Sequence, residues 1–251
     1  MHTINPALLR SHINVTVVGA GGNGSQILVG LARLNQAMLA LGHPYGLNVL
    51  AVDDDLVSPF NVGRQLFFPA DIGFAKVSVL INRINLCYGT RWAACQSKVS
   101  GEHLNCDIVI GCVDNRRARR TIFDHLSDAH DHIYWLDLGN NSDTGQCILG
   151  ENTACLDEQI RLPHAADLFP ELVDTSIPEV DEPSCSMAES LSKQSLFINQ
   201  GIALPALNLL WQCFRHGKIQ HHGCFIDLKS NRMSSLPIDP NAWKRFGFTP
   251  T

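Results

Sequence analysis

The chain has 251 residues, 45% of them hydrophobic and 17% charged, with a formal net charge of −5. That balance suits a soluble globular protein with a full core, built as one large α/β domain or one domain with a modest appendage. No apolar run approaches the roughly 18 residues of a membrane span, and the scattered basic residues argue against nucleic acid as a principal ligand.

Met1 to Ser11 lacks the basic-then-apolar pattern of a secretory signal, so the nine cysteines read as reduced thiols of a cytoplasmic protein. Ile13 to Val18 (INVTVV) is a short β-rich run that leads directly into GAGGNG, Gly19 to Gly24. From Ser25 to Leu41 apolar residues recur at helical spacing: Ile27, Leu28, Leu31, Leu34, Met38 and Leu41. Leu47 to Val52 reads as a second strand ending at Asp53. Strand, glycine turn, helix and strand in that order open a doubly wound parallel sheet.

A helix is expected from Asp71 to Leu86, with Val77, Leu80, Ile81 and Ile84 on its buried stripe, and a strand from Arg91 to Gln96. Asp107 to Val113 (DIVIGCV) is a continuous apolar run, as in a strand covered on both faces. Arg116 to Leu126 follows as a helix whose arginines, 116, 117, 119 and 120, read as a solvated face or, alternatively, as a contact for phosphate or an acidic partner. Ile133 to Leu138 and Thr144 to Leu149 are two more strands. Glu151 to Pro183 is proline-rich and acidic and reads as a long irregular excursion, of the kind ordered by a partner. Helical character returns over Ser186 to Phe214, Cys224 to Leu228 opens a closing hairpin, and the last dozen residues read as a tail. Cys87, Cys95, Cys106 and Cys112 are expected in the core, and His221 and His222 as solvated or structural residues.

Glycines at a helix N-terminus leave bare amides facing outward, a place for phosphate oxygens. The turn alone suits dinucleotide-dependent dehydrogenases, ATP users and purely structural turns alike. Asp53, at the tip of the second strand, is placed for ribose hydroxyls, with Asp55 on the same side or capping a loop. The stretch from Asp53 to Lys76 then sets Asn61, Arg64, Gln65 and Lys76 beyond the carboxyl edge of the sheet. Fixed cations there answer the charge of a triphosphate and of departing pyrophosphate, a need that hydride transfer lacks. Asp114, ending the buried strand, suits Mg²⁺ on the phosphates or a cap on the following helix.

GAGGNG, VDDDLVSPFNVGRQLF, DIGFAK and GCVDNRRAR together resemble the ThiF/MoeB/HesA family, related to the adenylation domains of ubiquitin-activating enzymes. The resemblance is strong over about Ile13 to Arg119 and weaker beyond. The NVGRQ wording, the acidic excursion and PSCSMAES look closest to the ThiF family component of the PRTRC gene system. The resemblance implies a Rossmann-like, mostly parallel α/β sheet extended by C-terminal antiparallel strands, in a single domain spanning 1–251. It implies ATP and Mg²⁺ as cofactors: Gly19, Gly21, Gly22 and Gly24 on phosphate, Asp53 and Asp55 near the ribose, Asn61, Arg64, Gln65 and Lys76 on the triphosphate, and Asp114 on Mg²⁺. The implied reaction is adenylation of the C-terminal carboxylate of a ubiquitin-like β-grasp protein by a homodimer, with a ubiquitin-conjugating-like protein as a further partner.

Cys185, in EPSCSMAES, matches the family position of a thiol that captures the activated carboxylate; its plainer reading is a small apolar residue at a loop–helix joint. The family's paired C-x-x-C motifs are missing, so a four-thiolate zinc site is not expected. Arg10 is the only nearby match to the arginine that relatives donate across the dimer. A small-molecule or tRNA-linked carboxylate as substrate, a nicotinamide oxidoreductase, and a non-catalytic scaffold remain as alternatives.

Overall fold

A computed structural model describes residues 1–156, 159–179 and 194–250. Cys185 lies outside the described residues.

A two-residue strand, β1 (His2–Thr3), precedes β2 (Ile13–Val18), whose β-branched run is buried at every position except Asn14. The chain continues through α1 (Gly22–Ala40), β3 (Leu47–Val52), α2 (Lys76–Tyr88), β4 (Ala93–Cys95), β5 (Ile108–Gly111), α3 (Arg116–Asp128) and β6 (Tyr134–Asn140). These strands pair in parallel in the order β4, β3, β2, β5, β6. The order reverses between β2 and β5, and such a switch point opens a crevice at the carboxyl ends of the strands.

After β7 (Thr144–Glu151) come a helical turn, α4 (Ala165–Leu168), and a long helix, α5 (Ile198–His216). They lead to β8 (Lys218–Ile219), β9 (His221–Asp227), β10 (Arg232–Pro237) and a last turn, α6 (Pro240–Trp243). β7, β9 and β10 extend the sheet antiparallel beyond β6, while β8 pairs with β1. The fold is therefore the expected doubly wound, mostly parallel sheet with C-terminal antiparallel strands.

Side chains alternate between two cores, as the strand period requires. Ile108, Ile110, Tyr134 and Leu136 face α1, α2 and α5, whereas Val109 and Trp135 join Ile122 and Leu126 of α3 on the other face. α5 lies so close along α1 that a Cβ on Gly30 would come within 2.1 Å of the Leu207 side chain. Among the described residues no helix is long and apolar enough to cross a membrane.

Several expected boundaries shift for local reasons. α1 begins at Gly22, so the glycine run itself forms the first helical turn. α2 begins at Lys76 rather than Asp71, because Gly73 adopts φ +90° and Ala75 is extended. The excursion is partly ordered by its own apolar residues: Leu162, Ala165 and Leu168 are buried. The expected tail is folded as well, with Trp243 fully buried. Arg119 is buried, not solvated, because it shares the inner stripe of α3 with Ile122 and Leu126. Cys87 is exposed in the last turn of α2 instead of sitting in the core.

Candidate active site

The glycine turn sits at the carboxyl end of β2, stitched to both neighbouring strands. Gly19 N–H donates to the Val52 carbonyl at 2.8 Å, and Cys112 N–H donates to that of Val18 at 2.8 Å. Gly19 has φ +92°, and a Cβ there would meet the Cys112 carbonyl oxygen at 2.7 Å. A Cβ on Gly24 would lie 1.9 Å from the Gly19 oxygen, a backbone clash with no escape. α1 starts without a side-chain cap and without an acidic residue in its first turn. Its uncapped amides and positive dipole end are thus left for an anion.

Asp53 closes the turn from β3. Its Oδ2 accepts from Ala20 N–H at 2.5 Å and its Oδ1 from Asp55 N–H at 2.8 Å. Burial pushes the Asp53 pKa above the usual carboxylate value, against the pull of those two amides and of Lys76. Lys76, buried at the start of α2, holds the exposed Asp55 carboxylate at 2.7 Å. The two expected neighbours of the ribose and phosphates, Asp53 and Asp55, therefore share one cation.

The loop after β3 brings the second group. Asn61 Oδ1 accepts from the Ser58 amide at 2.8 Å and hydroxyl at 3.0 Å, so it shapes the loop through its oxygen. Gln65 is buried against Gly21: a Cβ on that glycine would lie 3.8 Å from Gln65 Nε2. Arg64 donates from one terminal nitrogen to Gln194 Oε1, while its buried Nε has no partner among the described residues. Burial lowers the Arg64 pKa, and the nearby Asp114 carboxylate acts in the opposite sense. Asp114 is exposed between β5 and α3, and Asn115, not Asp114, caps α3 by accepting from Ala118 N–H at 2.8 Å. Asp114 thus lies near enough to Arg64 for their charges to interact, as Lys76 does to Asp53.

Two site residues were not anticipated. Asn199, in the first turn of α5, lies over Gly22, where a Cβ would meet its amide at 2.5 Å. Asn23 donates from Nδ2 to Asn140 Oδ1 at 2.9 Å. Asn199 stands in helical phase with buried Ile202, Ala203 and Ala206; an amide on an apolar stripe was the available signal. Around the turn, Asn23 Oδ1, Arg64 Nε, Gln65 Oε1 and Asn199 Nδ2 are buried without a hydrogen-bond partner among the described residues. Such atoms cost about 1–3 kcal/mol each unless something satisfies them. Arg64 Nε and Asn199 Nδ2 are donors and suit phosphate oxygens, whereas Asn23 Oδ1 and Gln65 Oε1 are acceptors and suit a ligand's hydroxyl or N–H groups.

A family model described as "ThiF family" matches residues 7–244. Among solved structures, PaaA is similar at 17% identity and a TM-score of 0.63, over 90% of this chain and 64% of that one. Escherichia coli MccB, crystallised with ATP, is similar at 14% identity and a TM-score of 0.60, over 94% of this chain and 67% of that one. MccB with AMPCPP and MccA matches at 14% identity and a TM-score of 0.60, over 90% of this chain and 64% of that one. The chain thus spans 64% of the length of PaaA, and at these identities the likeness is one of fold. No curated protein matches in sequence.

Proposed function

The chain belongs to the ThiF family, and from that premise we propose that it adenylates a carboxylate with ATP, the carboxylate being the C-terminus of a ubiquitin-like β-grasp protein. The observation that carries this reading is the set of unpartnered buried polar atoms around the glycine turn, bordered by Arg64, Lys76 and Asp114. An ATP phosphate tail suits it: Gly19 and Gly24 are required by the tight path of the turn that presents the first-turn amides of α1, and, among the described residues, the donors Arg64 Nε and Asn199 Nδ2 are free for acceptors.

In the proposed reaction a carboxylate oxygen attacks the α-phosphorus, the bond to the β-phosphate oxygen breaks, and pyrophosphate leaves. Negative charge grows on the departing group, and stabilising it requires donors already in place. The first-turn amides of α1 hold phosphate oxygens and Arg64 supplies a fixed positive charge. Lys76 exchanges its exposed partner Asp55 for phosphate, and Asp53 accepts from the ribose through lone pairs its two amide bonds leave free. Asp114, released from capping duty by Asn115, would hold Mg²⁺, which when bound neutralises phosphate charge.

The same reading takes 1–251 as a single adenylating domain that works as a cytoplasmic homodimer. It has the Cys185 thiolate attack the acyl-adenylate, forming a thioester as AMP leaves, for hand-over to a ubiquitin-conjugating-like protein. It also groups the chain with the PRTRC-system ThiF proteins, a reading supported by the NVGRQ wording. A second reading, in which another small partner supplies the carboxylate, is favoured by the complex of MccB with MccA.

The test is isotope exchange between ATP and pyrophosphate. The expected result is exchange that depends on a ubiquitin-like protein ending in glycine. No exchange with any candidate carboxylate at saturating Mg²⁺ overturns adenylation, and exchange supported only by an unrelated peptide selects the second reading.

A further inference from the structure

At the opposite edge of the sheet, where β6 begins and β7 ends, four chemistry-bearing side chains gather that adenylation does not use. Glu151, the last residue of β7, pairs with Tyr134, the first of β6, and is fully buried. His2 of β1 is buried beside it, with Nε2 at 3.9 Å from Glu151 Oε2. Cys155, in the turn after β7, places Sγ 3.8 Å from His2 Nε2. The ligand atoms of His2, Glu151 and Cys155 all lie within 4.8 Å of one another.

From this juxtaposition we propose that His2, Glu151 and Cys155 bind one divalent cation of the zinc class, with water in the fourth position. One nitrogen, one oxygen and one sulfur form a borderline donor set suited to Zn²⁺. Tetrahedral coordination with bonds of about 2.0–2.3 Å sets neighbouring ligand atoms about 3.3–3.6 Å apart. The observed 3.8 and 3.9 Å separations close to that value by a few tenths of an ångström.

The surroundings are those of an oriented ligand. Glu151 Oε2 is 2.8 Å from His132 Nε2, and its Oε1 accepts from Leu162 N–H at 3.0 Å. Outer hydrogen bonds of this kind fix a ligating carboxylate. His2 is buried, and its Nε2, the atom that faces Glu151 and Cys155, is held in position by the Tyr134 hydroxyl. Binding would break the Cys155 S–H bond, form a metal–sulfur bond and release the proton to solvent. It would also replace the His2–Tyr134 hydrogen bond, now 2.9 Å, leaving the Tyr134 hydroxyl to its other neighbours, Asn5 N–H and Cys155. The cation would tie the N-terminal strand, the central sheet and the start of the excursion into one knot. It is a different donor set from a four-thiolate zinc site, and it stands whether or not the chain adenylates.

The experiment is titration of chelator-stripped full-length protein with Co²⁺. The expected result is one equivalent bound, with tetrahedral visible bands, a thiolate-to-metal band in the near ultraviolet, proton release and a higher melting temperature. Cys155→Ser should remove the thiolate band while the circular dichroism stays unchanged. His132→Ala, acting through Glu151, should weaken Co²⁺ by about 10–100-fold without removing that band. No stoichiometric spectrum, or a thiolate band that survives in Cys155→Ser, overturns the proposal.

Discussion

On the hairpin side of the molecule, His222 is fully buried and both of its ring nitrogens are engaged. Trp243 Nε1–H donates to its Nε2 at 2.8 Å, which leaves Nδ1–H to donate to the Leu149 carbonyl at 2.7 Å. On the glycine-turn side, Asn23, Arg64, Gln65 and Asn199 are also buried or half-buried, yet each keeps an atom without a partner among the described residues. Burial is similar and satisfaction is not. A buried polar group unpaired by its own chain marks a place held ready for something else, whereas a paired one serves the fold.

The comparison can be broken by substitutions on either side. Trp243→Ala removes a fully buried indole and its bond to His222. It should cost about 3–5 kcal/mol in urea unfolding while the folded fraction keeps its exchange rate. Next in size, Arg64→Ala should lower ATP–pyrophosphate exchange about 100–1000-fold, as expected when one preorganised donor to a developing charge is lost. Its melting temperature should stay close to that of the parent. If both variants lost stability and kept exchange, the two regions would not differ in the way described.

Protonation sharpens the contrast. Burial holds the His222 pKa down at about 4, against an ordinary 6.5, and His164 is likewise held at about 4 by burial. The unfolded chain therefore binds protons that the folded chain refuses, and stability falls as pH drops from 6.5 towards 4, levelling off below. For His222 the loss is on the order of 3 kcal/mol. Comparing urea midpoints at the two ends of that window should show a smaller drop in His222→Gln than in the parent. The smallest effect expected is from Asn115→Ala, about 1 kcal/mol for a lost helix cap. Exchange should change little, because Asp114 is not the cap; a large loss of exchange would show that the cap also sets Asp114.

The glycine turn and its partners were legible in the sequence because their constraint is local. Gly19 and Gly24 are forced by backbone contacts within a few residues or with the neighbouring strand, and such forced glycines stand out in a short motif. The parallel strands were legible too, since strands covered on both faces read as unbroken apolar runs. Asn199 was harder, because its role depends on α5 crossing α1 far along the chain. Arg119 was hidden by composition: four arginines in one segment suggested solvent, while its phase with Ile122 and Leu126 pointed inward to Asp137 at 3.0 Å. The folded tail escaped for the same reason as Asn199, since Trp243 meets His222 only once β9 is in the sheet.

The most direct measurement is a crystal structure of the chain with a nonhydrolysable ATP analogue and Mg²⁺. The account predicts the phosphates seated on the first turn of α1, Arg64 Nε and Asn199 Nδ2 hydrogen-bonded, Lys76 turned from Asp55 to phosphate, and Asp114 on the metal. A nucleotide bound elsewhere, or bound at the turn with Arg64, Lys76 and Asp114 all directed away from it, would contradict the account.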